Sequence, residues 1–165
     1  MAIDFAAVTE RAIEEVARCC RLTLPEKSPG IRILDRIVRE LHTPLQLLDL
    51  CSSWKVQPSS LRSRFARRGL SSLTEFSRHV RAYYVLAILR AGGTLGDATG
   101  YLQFSQQSAM TRQLKGMYGM PASVWAYRTR MPDQLEVIRS IVQEYAQVNQ
   151  VVWNFSRLKE ERGIR

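Results

Sequence analysis

The sequence predicts an all-α fold: two helix-turn-helix subdomains joined by a long connecting helix, with flanking N- and C-terminal helices. Three observations predict it. Helix-capping patterns are dense while strand signals are nearly absent, apolar residues recur at three- and four-residue steps, and one two-helix pattern occurs twice, 48 residues apart. At 165 residues with 45% hydrophobic content the chain can build one domain with appended helices.

Taken in order, the first element is an N-terminal helix from roughly Asp4 to Leu22 within residues 1–30, with Phe5, Val8, Ile13, Val16 and Cys20 apolar. The middle segment, residues 31–128, follows. Thr43-Pro44-Leu45-Gln46 offers an N-cap, a proline at the first helical position and a glutamine three residues beyond the cap. Ser72-Leu73-Thr74-Glu75 and Thr94-Leu95-Gly96-Asp97 follow the same logic, and each of the three opens a short helix. Between them, Phe76, Val80, Tyr83, Tyr84, Ala87 and Ile88 fit a longer amphipathic helix over 73–90, ending at Gly92-Gly93. Tyr83 and Tyr84 are expected at the core and rim of that helix. The middle segment thus reads as roughly six or seven helices.

The repeat lies inside this segment. Leu50, Cys51, Trp54 and Val56 correspond at an offset of 48 to Ala98, Thr99, Leu102 and Phe104. Ser59, Leu61 and Phe65 correspond at an offset of 49 to Ser108, Met110 and Leu114. Each unit reads as a short helix, a turn closed by an apolar residue, and a second helix whose inward residues stand four apart. That is the organisation of a helix-turn-helix, although periodicity alone also fits an ordinary helical hairpin.

Charge is divided unevenly. Residues 1–30 hold four basic and five acidic side chains, residues 31–128 fourteen and five, and residues 129–165 six and five, so the excess behind the net +9 lies in the middle. A polyanionic partner rewards such asymmetry through counterion release, which makes nucleic acid the leading partner and a basic face kept for solubility the alternative. The outward chemistry of the second helices agrees. Burying Met110 and Leu114 turns Gln107, Ser108, Thr111 and Arg112 outward, with no carboxylate among them. Glutamine reads adenine, arginine reads guanine, and hydroxyls serve bases or phosphates. In the first unit, burying Leu61 and Phe65 leaves Ser59, Ser60, Arg62 and Ser63 outward, followed by Arg67 and Arg68.

With these residues in view, 31–128 resembles the paired helix-turn-helix DNA-binding domain of the AraC/XylS family of bacterial transcription regulators, over about 98 of the 165 residues. The likeness is carried by Phe104, Ser105, Gln107, Ser108, Met110, Arg112, Leu114, Lys115, Tyr118 and Gly119, and in the first unit by Leu50, Val56, Pro58, Ser59, Leu61, Phe65 and, further on, Phe76. The resemblance implies a regulator whose two recognition helices enter successive major grooves of double-stranded DNA, in the bacterial cytoplasm at the nucleoid. It places base-facing positions on Ser59, Arg62 and Ser63 and on Gln107, Ser108 and Arg112. Phosphate contacts are assigned to Arg67, Arg68, Thr111 and Lys115. The chain departs from the family pattern at Lys55 and Gln103, which stand at turn positions that are usually glycine and so predict turns that carry strain or are made differently. Arg64 stands at a usually apolar position, Ser63 replaces an arginine, and Pro121 comes one residue early. Without room for a sensor domain, no small-molecule effector is expected.

Other readings find less support. No stretch approaches the length of a membrane span and the first residues lack the pattern of a signal peptide, so a cytoplasmic protein without membrane contact is expected. Cys19, Cys20 and Cys51 form no CxxC pair and read as reduced core residues, with no metal or other cofactor implied. His42 and His79 stand apart on predicted helices, with no catalytic constellation around them, so no enzymatic activity is expected. AGGTLGDATG, residues 91–100, lacks the ending of a phosphate loop and reads as an interhelix turn.

The C-terminal segment, 129–165, carries an amphipathic helix beginning near Pro132. Leu135, Ile138, Val142, Tyr145, Asn149, Val152 and Ser156 alternate three- and four-residue steps, the spacing of a heptad seam. With Ile141, Val148, Val151, Trp153 and Phe155 adding apolar surface, something must cover this helix. The cover is the chain's own N-terminal helix, a second copy in a homodimer, or a partner protein bound through residues 132–158. An adaptor that kept the helix-turn-helix fold but holds another protein through its flanking helices is the alternative to the DNA-binding regulator.

Overall fold

Asp4 opens the first helix by accepting a 3.0 Å hydrogen bond at Oδ1 from the backbone N–H of Ala7. A computed structural model describes residues 2–40, 47–148 and 153, and among them the chain forms nine α-helices and no strand. These are α1 (Phe5–Thr23), α2 (Gly30–Glu40), α3 (Leu47–Ser53), α4 (Pro58–Arg67), α5 (Leu73–Arg90), α6 (Leu95–Tyr101), α7 (Gln107–Tyr118), α8 (Ala122–Arg128) and α9 (Met131–Gln147). The all-α expectation holds, and seven of the nine fall in the middle segment. The cap at Thr43, His42 and most of the residues beyond Val148 lie outside the described residues.

α5 is the central element. Its Phe76, Val80, Tyr83, Tyr84, Val85, Leu86 and Ile88 are buried, and α1, α2, α6 and α9 all pack against it. α1 and α9 also pack on each other, so α1, α5 and α9 form a mutually packed core with α2 laid along α1 and α5. Tyr83 and Tyr84 both belong to this core, rather than one to the core and one to its rim. Their hydroxyls reach polar partners that make burial tolerable: Tyr83 donates to the Glu15 carboxylate, and Tyr84 donates to the Val38 carbonyl at 2.7 Å. Cys19, Cys20 and Cys51 are buried thiols, and burial pushes Cys20 up to about 12.

The caps behave as their residue types dictate. Ser72 Oγ accepts from Glu75 N at 3.1 Å, and the helix it opens is the 18-residue α5, not a short one. Thr94 and Asp97 form a reciprocal capping box on α6. The stretch 91–100 is therefore a turn only over its first residues, because from Leu95 it is helix. α1 stops at Leu24, held extended before Pro25, as the proline ring requires.

α9 settles what covers the described part of the apolar C-terminal face. Ile138, Ile141, Val142 and Tyr145 are buried against α1 and α5 of the same chain. The helix does not continue along the seam: it ends at Gln147, and Val148 is extended at ψ 151°. Asn149, Val152 and Ser156 lie outside the described residues. Trp153 folds back to an intramolecular seat, edge-on to Tyr145 at 5.4 Å and to Phe65 of α4 at 5.8 Å between ring centroids. The seam read as a homodimer or partner surface is thus, over α9, filled by the chain itself.

Candidate nucleic-acid interface

The two repeated units share a backbone signature. In the first, Lys55 has φ 55°; in the second, at the same offset of 48, Gln103 has φ 53°, and among the described residues no other non-glycine has a positive φ. The hydrogen bonds around them repeat too. Trp54 N, Lys55 N and Val56 N bond to Leu50 O, Ser52 O and Cys51 O; Leu102 N, Gln103 N and Phe104 N bond to Ala98 O, Gly100 O and Thr99 O. Each partner is displaced by 48. The chain turns sharply because one residue enters the left-handed region, and at both turns it does so without glycine, in a conformation that crowds the Cβ against the following carbonyl.

These turns launch α4 and α7. Leu61 and Phe65 in α4, and Met110 and Leu114 in α7, are buried as the sequence requires. Their opposite faces are open. Ser59, Arg62, Ser63, Arg67 and Arg68 are exposed on or just beyond α4; Gln107, Ser108, Arg112 and Lys115 are exposed on α7, with Thr111 half-buried. Ser60, expected outward, is instead buried at 7% exposure, because it precedes Leu61 on the edge that turns into the core. Arg64 is fully buried, which removes it from the exposed set and leaves Arg62, Arg67 and Arg68 as the solvent-facing cations of α4 and its C-terminal end, with Lys55 exposed in the turn before it.

The exposed cations are electrostatically uncompensated. Among the described residues, Arg62, Arg67, Arg68, Arg112 and Lys115 form no ion pair, whereas Arg21, Arg36 and Arg39 on the α1–α2 side and Arg130 and Arg139 on α9 do. Arg67 and Arg68 donate only to backbone carbonyls of their own helix, Ser63 O and Arg64 O, both at 3.3 Å, which leaves their charge unneutralised. Two smaller groups are partly engaged: Ser108 Oγ donates to Gln106 Oε1 at 3.1 Å and Thr111 Oγ1 to Ser108 O at 3.2 Å. Neither α4 nor α7 has a side-chain N-cap bond. Their first-turn N–H groups keep the partial positive charge of a helix start.

α7 is braced at both ends. At its start, the Arg81 guanidinium of α5 donates to Leu102 O and lies 3.8 Å over the centre of the Phe104 ring. Burial lowers Arg81 to about 10, so it stays charged at neutral pH. At its end, Tyr118 stacks on Trp125 at 4.8 Å and accepts from Gln134 Nε2 of α9 at 2.7 Å. Burial holds His79 below its ordinary value, and its Nδ1 shares a 3.0 Å hydrogen bond with the Tyr118 hydroxyl. Gly119 closes α7 in the left-handed conformation, its N–H on Lys115 O at 2.8 Å. Arg90 clamps the end of α8 through Ala126 O and Thr129 O.

Sequence reasoning missed these braces. Arg81 and Gln134 sit 21 and 16 residues from the groups they hold, so no local pattern marks them. Of the predicted positions, Ser108, Thr111, Arg112 and Lys115 are brought together along one cleft between α7 and α8, while Ser59, Arg62 and Ser63 form a separate set on α4. Among the described residues no helix is long and apolar enough to cross a membrane. Comparison of the chain with family models, with curated proteins and with solved structures returns no match.

Proposed function

We propose that the chain is a sequence-specific double-stranded DNA-binding transcription regulator of the AraC/XylS type, and not an enzyme. Its two helix-turn-helix units are α3–α4 and α6–α7, joined by α5. One observation carries the reading: the same turn, with the same hydrogen bonds and the same left-handed residue, occurs twice and each time launches a helix with an open face free of carboxylates and bearing unpaired cations. Helices of this kind fit the major groove, where Gln107 and Arg112 carry side chains suited to base edges and Arg67, Arg68 and Lys115 suit phosphates. Arg62, Ser59 and Ser63 take the base-facing role in the first unit. The bracing of α7 supports the same reading, since a base-reading helix works best when its register is fixed before binding.

Selection of bound sequences from a random duplex library at physiological salt tests this. The regulator enriches two short boxes about one helical turn apart, 10–10.5 base pairs centre to centre. A pool that stays unenriched, with binding equal on all duplexes, overturns base reading and favours an adaptor that kept the fold.

A further inference from the structure

α7 stands as a ridge between two clefts, and Arg112 lines both. One cleft separates α7 from the first half of α5, where Glu75, Arg78 and His79 form the facing wall. The other separates α7 from the start of α8, where Ser108, Thr111 and Lys115 face Pro121 and Ser123. A helix lying in a major groove about 12 Å wide has a phosphodiester strand along each flank. Such a helix therefore needs space on both sides, with donors on the outer walls.

Resting on the DNA-binding reading, we propose that these two clefts seat the two phosphate strands that flank α7, and that Arg78 and Ser123 supply phosphate contacts from outside the recognition helix. Arg78 is exposed and, among the described residues, pairs with no carboxylate, although Glu75 stands one helical turn before it. Its guanidinium is thus available to an incoming anion. Ser123 is exposed on the outer wall of the other cleft, across from the Lys115 ammonium, where a hydroxyl and a cation bracket the same oxygens. Glu75 works against the strand in the α5 cleft, so its carboxylate limits how tightly that side closes on DNA.

The test is an anisotropy titration of the full chain against its selected duplex and a random duplex over a series of salt concentrations. Arg78→Ala weakens both duplexes alike, roughly fivefold at physiological salt, and makes the slope of log K against log salt shallower by about 0.9, the value for one lost phosphate contact. Arg78→Lys restores the slope, because a phosphate accepts a point charge as well as a fork. Glu75→Gln tightens both, and Ser123→Ala weakens both with the slope unchanged. Arg18→Ala, which removes the same charge from α1, moves neither. If the unaltered chain binds but Arg78→Ala keeps affinity and slope, or loses only the selected duplex, the seating of a strand in the α5 cleft is wrong. If the unaltered chain binds no duplex even at low salt, the DNA-binding reading itself falls.

Discussion

At Lys55 and Gln103 a side chain with a Cβ occupies the left-handed region, at φ 55° and 53°, where crowding against the following carbonyl costs about 1–2 kcal/mol per residue. Glycine removes that crowding but loses more backbone entropy on folding, by roughly 0.5–1 kcal/mol. Gln103→Gly and Lys55→Gly should therefore each raise stability by a net ~0.5–1 kcal/mol, read from the midpoint of urea unfolding with the m-value unchanged, and a drop in the midpoint would show the turns are not strained. At the arginines, chemistry separates two roles. Arg112→Ala should cost about 1–3 kcal/mol on the selected duplex and relax preference at one or two positions, as expected when a fork leaves a base edge. Arg68→Ala and Lys115→Ala should instead weaken selected and random duplexes equally, with a shallower salt slope. Equal losses on both duplexes for Arg112→Ala would move it among the phosphate contacts.

At the scale of elements, the terminal helices flank the middle segment in sequence but share its core, and Trp153 reaches further still. Its indole is 4% exposed and fills the space over Gly30 at the start of α2, where an added Cβ would meet Trp153 Cε2 at 2.6 Å. Trp153→Ala should cost ~3–5 kcal/mol, the range for emptying a buried aromatic site. Gly30→Ala should be destabilising in the natural chain and cease to be so beside Trp153→Ala, a non-additivity that a thermal unfolding cycle of the four proteins measures. Additive costs would mean that the two residues do not share one space. Here the limits of sequence reading are physical. Caps, the 73–90 helix and the repeat were legible because they rest on local spacing, at Ser72, Thr94 and Leu61/Phe65. The partner of α9 was legible only in part: the N-terminal helix was among the covers named and α1 does pack on α9, but an apolar stripe states that it must be covered and not by what, and the share taken by α5 was not foreseen. Tyr84 was misread at the rim for a related reason, since its burial is completed by α2, whose Val38 carbonyl takes its hydroxyl, and Ser60 was misread because its edge of α4 turns into the core. The open faces of α4 and α7 were legible, whereas Arg81, Gln134 and Arg78 acquire their places only once α5, α7 and α9 meet.

Over the whole molecule, charge is sorted by position. On the α1–α2 side three arginines are matched: Arg39 contacts Glu14 at 2.5 Å and Asp35 at 2.9 Å, Arg36 contacts Glu40 at 3.0 Å, and Arg21 contacts Asp35 at 3.8 Å. These exposed pairs contribute little stability, but they cancel the field locally. On α4, α5 and α7 the exposed Arg62, Arg67, Arg68, Arg78, Arg112 and Lys115 have no such partners among the described residues, so the molecule carries a lopsided field around a net charge of +9. For a duplex, Arg67, Arg68, Arg78 and Lys115 are the cations assigned to phosphates. Each contact releases about 0.9 of a counterion, so log K should fall against log salt with a slope of about −3.6, steeper if Arg62 or Arg112 also neutralises a phosphate. Reversing charge on the matched side, as with Arg21→Glu, should leave that slope nearly unchanged, because the contacts counted are those made at α4, α5 and α7. Titrations of the two proteins on random duplex between 50 and 200 mM salt would read both slopes. A slope near −1, or one that Arg21→Glu flattens as much as Arg68→Glu does, would mean that the duplex sees only net charge and that the sorted faces are not its docking surface.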